Sequence, residues 1–459
     1  MLKQLIFLLL LSFSHSSLSS QAIEGTLLGT WSDSTLVGSN SFNNIYNEIW
    51  GVVAQGKEYA VLGSTFGTHF FDLTDPTQPE LVATIEGGTT GGQIIHRDFH
   101  DLNGYLYGVS DEGGQSTLQI MDLSFLPDSV PVIYDSAEFI RRSHNIFIDS
   151  SAQIMYSCIS NGQNVSFTPL RTFDISDPSQ PTIIRDYSSI DGFNFSQVHD
   201  AFVRNDTAYL NCGPSGFVMA DFSDPLAPVA LATLSPDDYL QSGYNHSGWL
   251  SDDGKTYVMA DEDWDHDLKV FDMTSIPEMI LIDTIDAGSD NPFTIPHNQI
   301  ILGDYLYSSY YYDGLQVWDI SDLQNIERVL HYPTSKLPHR NSYEGSWGVY
   351  PFLPSGLILV SDMQEGLFVL QGVEQTLSST VEVSEIDEKW TIFPNPNSGS
   401  FQIMTDSELK IDRMDLYSID GKYLSALTED NELSLPKGQY VVKLFCEGKH
   451  SSKTLIIAY

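Results

Sequence analysis

One residue type returns at the same point of a repeating phrase: His100, His144, His199, His246 and His297, with Trp50 and Trp347 in the matching first and last places. Imidazole is the commonest transition-metal ligand, so one histidine per repeat, gathered about a common axis, would hold a divalent metal ion. The two indoles would offer flat faces to a sugar, a peptide or another partner. Carboxylates and aromatics follow in the loops expected at the same end: Asp111–Glu112, Asp261–Glu262–Asp263 with Trp264 and Asp265, Tyr310–Tyr311–Tyr312 with Asp313, and Asp362. Asp261 and Glu262 are read as further metal ligands and Tyr311 as a ligand contact, and hard cations use such oxygens. A plainer reading stands beside this one. A histidine recurring once per repeat also serves to hydrogen-bond neighbouring loops, and loop carboxylates are usually solvated. Dedicated catalytic motifs are absent: there is no G-x-S-x-G, H-E-x-x-H, C-x-x-C or glycine-rich phosphate loop. The leading expectation is therefore non-enzymatic binding at this cluster. The alternatives are a metal-dependent hydrolase or lyase using the same residues, and a structural surface-adhesion module.

Those residues need elements to carry them. The repeated phrase is an apolar run, an Asp, a small residue and a turn, fullest in GLQVWDISDL at 314–323. Its Asp falls at 72, 122, 174, 221, 272 and 319, steps of 50, 52, 47, 51 and 47 residues. From Trp50, His100, His199 and His297 to the next such Asp is 22 residues, against 30 from His144 and 26 from His246. Each unit reads as four short antiparallel strands, rich in β-branched and aromatic residues and closed by Ser/Thr/Asp/Pro turns. Seven such units at a period near fifty predict an all-β chain, a seven-bladed β-propeller over 23–373. The column of His and Trp starts the innermost strands and lines one mouth of the central channel, with Trp50 and Trp347 as neighbours. The last unit lacks a fourth strand, and EGTLLGTWSD (24–33) is a surplus strand at the other end. Pairing the two would remove exposed edges. The repeated Asp itself reads as a turn former.

The rest of the chain sets bounds. The 61 acidic against 21 basic residues give a formal charge of −40, which repels nucleic acid and anionic membrane surfaces. Residues 1–22 read as a signal peptide: Lys3, the apolar run 5–13, then small residues at Ser20 and Ala22. No other stretch is a transmembrane candidate. Cys158, Cys212 and Cys446 read as buried small hydrophobes. Residues 374–389 read as a polar linker, and 390–459, with Asp-Gly and Lys-Gly turns between alternating strands, as a small β-sandwich.

Two stretches are similar to known families. FPNPNSG (393–399), Asp420–Gly421–Lys422, GQYVVKL (438–444) and the basic-then-apolar end Lys453–Ile457 resemble the type A C-terminal sorting domain of the Bacteroidetes type IX secretion system. That resemblance covers 390–459 and implies export across both membranes of a Gram-negative cell, with the secretion machinery as partner. The repeats, through IWGVVAQGKEYAVLGSTFGTHFFDLTDP (49–76), SHN (143–145), PHNQIILGDYLYSSYYYDGLQVWDISD (296–322) and SWGVYPFLPSGLILVSDMQEGLFVL (346–370), resemble the LVIVD repeats of the choice-of-anchor B family. The family implies the propeller and a variable C-terminal anchoring module, and brings no established activity.

Overall fold

The computed structural model describes residues 22–380, 389–405, 410–418, 423–428, 430–433, 435–446 and 449–458. Of the expected signal peptide only Ala22 is among them, and the Asp420–Gly421–Lys422 turn lies outside the described residues. The chain is all-β in many small sheets and divides into two compact units, Met1–Gln371 and Gly372–Tyr459.

The first unit repeats one antiparallel meander. The first strands are Tyr46–Ala54, Arg97–Leu102, Asn145–Asp149, Asp200–Arg204, Asn245–Leu250, Gln299–Leu302 and Ser346–Tyr350, which begin sheets one to seven. Each first strand packs against the next, and the seventh against the first. Neighbouring sheets also share cores. Phe202 and Tyr209 of sheet four join Tyr257 and Phe271 of sheet five, and Tyr46 and Phe71 of sheet one join Leu359 and Val369 of sheet seven. A sheet covered on both faces needs apolar residues at every position of its middle strands, not at alternate ones. Hence Gly366–Leu370 is buried throughout, whereas the outer strand Glu80–Glu86 is mostly exposed.

Two details recur, the first in all seven sheets and the second in six. The outer strand slips register against the third by one bulge, at Phe70/Phe71, Val132/Tyr134, Thr172/Phe173, Met219/Ala220, Val270/Phe271, Val317/Trp318 and Leu27/Gly29. Such a bulge increases local twist. The repeated Asp caps the following turn: Oδ1 of Asp72, Asp122, Asp174, Asp221, Asp272 and Asp319 accepts the backbone N–H two residues on, at 2.7–2.9 Å. That is the turn-forming role expected of it.

Sheet seven takes its fourth strand from the beginning of the chain. Leu27–Trp31 pairs antiparallel with Gly366–Leu370. Just before it, Ile23–Glu24 adds a parallel fifth strand to sheet six, opposite Leu330 and His331. All three cysteines are buried and free.

In the second unit a three-stranded sheet (Trp390–Phe393, Ser400–Thr405, Asp430–Glu432) and a four-stranded one (Ile411–Ser418, Tyr423–Ala426, Gly438–Cys446, Lys449–Ile457) share a single core. Tyr440, Val442, Leu444 and Cys446 alternate into it from one strand. Asn395 and Asn397 of FPNPNSG fasten to the last strand, through Asn395 Nδ2 to the Thr454 carbonyl (2.6 Å) and the Asn397 N–H to that of Ile456 (2.9 Å). Gly399 has φ +104° and an added Cβ would stand 2.1 Å from the Leu433 carbonyl, so only glycine fits there. The expected linker 374–389 is not uniformly irregular, since Val373–Thr380 is helical. It contains no Gly or Pro, and Glu374 sits in the first turn where the helix dipole favours an anion. Residues 381–388 lie outside the described residues.

Candidate functional site

The first strands bring six rings together. His144 and His199 stand immediately before the strands at Asn145 and Asp200, His246 and Trp347 lie at the second position of theirs, and His297 precedes Gln299 by two. The sixth member is His96, just before Arg97, which the sequence reading passed over. Going round, centroids are 4.9 Å apart from His96 to His144, then 4.1 Å to His199, 4.1 Å to His246, 4.8 Å to His297, 4.3 Å to Trp347 and 5.1 Å back to His96. Five imidazoles and one indole close on themselves.

Every imidazole is held by its Nδ1 atom. His297 Nδ1 meets the Trp347 carbonyl at 2.5 Å and His199 Nδ1 the His246 carbonyl at 3.2 Å. His144 Nδ1 meets Asp111 Oδ2 at 2.8 Å, His96 Nδ1 meets Glu112, and His246 Nδ1 meets Ser247 Oγ at 2.8 Å. Carbonyls and carboxylates only accept, and the Ser247 proton goes to the His297 carbonyl (2.8 Å). The proton of each ring must therefore sit on Nδ1. That leaves Nε2 of each ring, with its lone pair, as the atom free to bind, and the five rings line a cavity of ≈ 30 Å³. Tethering one imidazole nitrogen so that the other is free and aimed is how proteins orient metal-ligating histidines. The inter-repeat hydrogen bond and the ligand role, rivals on sequence grounds, use different atoms of the same ring.

Electrostatics keep three of these lone pairs available. Burial, reinforced by the neighbouring imidazoles, pushes His199 and His246 well below the usual histidine range, and burial pushes His297 down to about 3. His144 goes the other way: burial opposes its charge, but the Asp111 carboxylate prevails and raises it. Asp111 in turn would be raised by burial, and its bonds to His144 and Arg142 hold it well below the ordinary carboxylate range.

The carboxylates divide into two that are spent on imidazoles and one with an oxygen left over. Asp111 spends one oxygen on Arg142 and the other on His144, while Glu112 is bound to His96 and to the backbone N–H groups of Ile95 and His96. Both orient imidazoles. Glu262 differs: one oxygen takes the Tyr311 hydroxyl at 2.6 Å, and the other lies 3.7 Å from His246 Nε2. His199, His246 and Glu262 offer ligand atoms within 4.8 Å of one another, as do His96, Asp111 and His144. Tyr311 thus belongs to the site, its ring 5.0 Å from His297. Asp261 does not. It is fully buried against Lys269 Nζ (3.0 Å) and bonded by Tyr239, Asn245 and the Gly243 N–H, a tie inside sheet five. Asp261 is the last residue of its strand and Glu262 the first beyond it, and the two carboxylates meet different partners.

Trp50 and His100 are also displaced from their expected places. Residues 96, 98 and 100 lie on one face of their strand at successive depths, and so do 48 and 50. Trp50 and His100 join a second closed ring with Phe147, Phe202, Trp249, Phe352 and Tyr350, at centroid spacings of 4.7–5.7 Å. Trp50 packs on Tyr350 and His100, and Trp347 on His96 and His297, so the two tryptophans do not form the expected pair. Between the rings lie Glu48, Asp98, Asn145, Asp200 and Asn298, which line both the upper cavity and a lower one of ≈ 60 Å³. Burial raises Glu48 to about 8, Asp200 to about 7 and Asp98 well above its ordinary value.

Residues 391–458 match the family described as the secretion system C-terminal sorting domain. The second unit is a sorting domain. Its presence marks the chain for type IX secretion, to the cell surface or beyond, and makes the secretion machinery a partner of residues 390–459. No helix among the described residues is long and apolar enough to cross a membrane. No curated protein matches the sequence. Among solved structures, one titled "Structure of U3-55K" is similar in fold, with a TM-score of 0.50 at 7% identity, over 74% of this chain and 99% of that one. The sorting domain explains where the protein goes; the imidazole ring bears on what it does there.

Proposed function

We propose that this is an exported seven-bladed β-propeller with LVIVD-type repeats of the choice-of-anchor B kind, followed by a sorting β-sandwich. Its channel mouth binds a divalent transition-metal ion through the imidazole ring. Seven four-stranded meanders whose first strands neighbour one another in a cycle support the propeller. The observation that carries the function is the set of five Nδ1-tethered histidines lining one cavity. Zinc-class ions take three or four such nitrogen and oxygen ligands at about 2.0–2.2 Å. The tightest part of the ring, His144–His199–His246 with Glu262, supplies that number. A cavity of ≈ 30 Å³ admits an ion with about two waters, not a sugar or peptide. Larger ligands would meet the ion from outside, beside Tyr311 and Trp347.

The test separates the two jobs of each ring. In His199→Asn the amide Nδ2–H stands where Nδ1–H stood, so the His246 carbonyl keeps its donor while Nε2 is lost. Metal content by elemental analysis and Co²⁺ affinity should fall at least about tenfold with the melting temperature nearly unchanged. A stable variant that keeps full metal content would refute the reading.

A metal-dependent hydrolase is the second reading, favoured by one observation. Burial raises Glu262 to about 7, and its free oxygen faces His246 Nε2. Glu262→Gln would then abolish turnover of ester or phosphoester substrates while most of the metal is retained.

A further inference from the structure

The carboxylate layer beneath the imidazole ring borders the upper cavity but supplies none of its ligands in the reading above, and it has the opposite donor chemistry. Glu48, Asp98 and Asp200 point into the lower chamber with Asn145, Asn298, Gln299 and Ser247, and Trp50, His100, Phe147 and Trp249 form its far wall. No Lys or Arg lines it. Arg97 lines the upper cavity and is bound to the carbonyls of Ser64 and Thr89. Each carboxyl is fixed by a backbone N–H, Glu48 by Ile49 (2.9 Å), Asp98 by Ile146 (2.6 Å) and Asp200 by Ala201 (2.6 Å).

Two amides point the same way. Asn145 Oδ1 is buried and has no hydrogen-bond partner, and Gln299, only 3% exposed, has an unpartnered Nε2 on the chamber. The Gln299 amide can be oriented from its neighbour. Ser247 gives its single proton to the His297 carbonyl at 2.8 Å, so its contact with Gln299 at 3.3 Å needs a donor from glutamine. Amide oxygen and nitrogen are interchangeable by a flip, and the flip satisfies Ser247 while turning Gln299 Oε1 into the chamber. Apart from His100 and the indoles of Trp50 and Trp249, every polar side chain of the wall then presents oxygen or can do so.

We propose that this chamber is a second cation site, for a hard divalent ion of the calcium class, distinct from the transition-metal site above it. Calcium takes six to eight oxygen ligands at about 2.3–2.6 Å in flexible geometry, and magnesium insists on a near-ideal octahedron. Among the described residues the three-ligand groups within 4.8 Å lie in the upper ring, so at least one of the three carboxylates reaches the ion through water. The ≈ 60 Å³ chamber has room for about four waters to do this. Partial hydration sets the affinity in the range of extracellular calcium modules, on the order of 10⁻⁴–10⁻³ M.

The experiment uses the full chain with Tb³⁺ as probe, excited through the indoles of Trp50 and Trp249. Saturable Tb³⁺ emission should appear and be displaced by Ca²⁺ but not by Zn²⁺ at one equivalent. Glu48→Gln and Asp200→Asn, which keep the amide oxygen for the backbone N–H, should weaken Tb³⁺ and Ca²⁺ at least tenfold and leave Co²⁺ binding intact. His199→Asn should do the reverse, so failure of the upper site and failure of this one give different patterns. Retained Co²⁺ affinity also certifies that the carboxylate variants are folded. Wild-type protein without Ca²⁺-displaceable Tb³⁺ emission, or unchanged affinity in both carboxylate variants, would overturn the proposal.

Discussion

His69 shows at single-residue scale how this interior handles titratable groups. It is buried in sheet one between the Ser64 hydroxyl (2.8 Å) and that of Thr84 (3.1 Å), and burial, aided by the charge of Arg97, lowers it to about 4. In the unfolded chain it titrates near 6.5. Below that pH the unfolded state binds the extra proton, so the stability due to neutral His69 is complete above about 6.5 and drains away as pH falls to about 4. The loss is about 3 kcal/mol over that window. His69→Gln, measured by urea unfolding from pH 7 to 4, should flatten the slope by close to one proton; an unchanged slope would contradict the burial argument. The same scale shows what sequence can and cannot tell. His144, His199, His246 and His297 were found because each is followed within two residues by a polar or strand-opening residue in a recurrent phrase. His96 was missed because His100, followed by Asp101, fitted the 22-residue spacing better. Yet His96 lies 26 residues before Asp122, the spacing of His246 from Asp272. Aligning on strand starts would have chosen it. Asp261 was misread because its partner Lys269 is eight residues away on the next strand, a distance that no local pattern encodes.

At the scale of elements, strands and turns were legible and their outer seams were not. The Asp that caps each turn needs a particular residue type at a fixed place, so it leaves a period in the sequence. A parallel pairing of only Ile23 and Glu24 leaves none. The N-terminal strand is sensitive at one position, Gly29, where it bulges against the neighbouring sheet. A Cβ there would stand 2.4 Å from the Pro76 carbonyl and 2.8 Å from Pro79 Cδ. Backbone cannot yield as a flexible side chain can, so Gly29→Val should cost about 1–3 kcal/mol. It should also loosen the edge of sheet seven enough to promote self-association at high concentration. Hydrogen exchange at 366–370 reads the effect directly, and protection equal to wild type would show that the strand tolerates the intrusion.

At the scale of the whole molecule, destination and binding are carried by different units. Removing residues 390–459 should leave the first unit with its metal affinity while the protein accumulates short of the cell surface. Fractionation of producing cells checks this, and normal surface display of the shortened chain would show that residues 391–458 are not the export signal. The seam in sheet seven has a larger implication. Leu27 faces Leu370, and the Gln371 N–H bonds to the Thr26 carbonyl at 2.9 Å, so residues 27–31 lie where a hairpin leaving residue 370 would run. The contact joins points some 340 residues apart, whose closure costs about 5 kcal/mol of chain entropy. The pairing of Leu27–Trp31 with Gly366–Leu370 makes sheet seven depend on two segments that are remote in sequence. A circular permutant with 371 joined to 26 by a short turn, and new termini in the exposed loop at Leu240, would turn that remote pairing into a local hairpin. It should refold faster than the parent, because the last strand to be placed would no longer be the first one made.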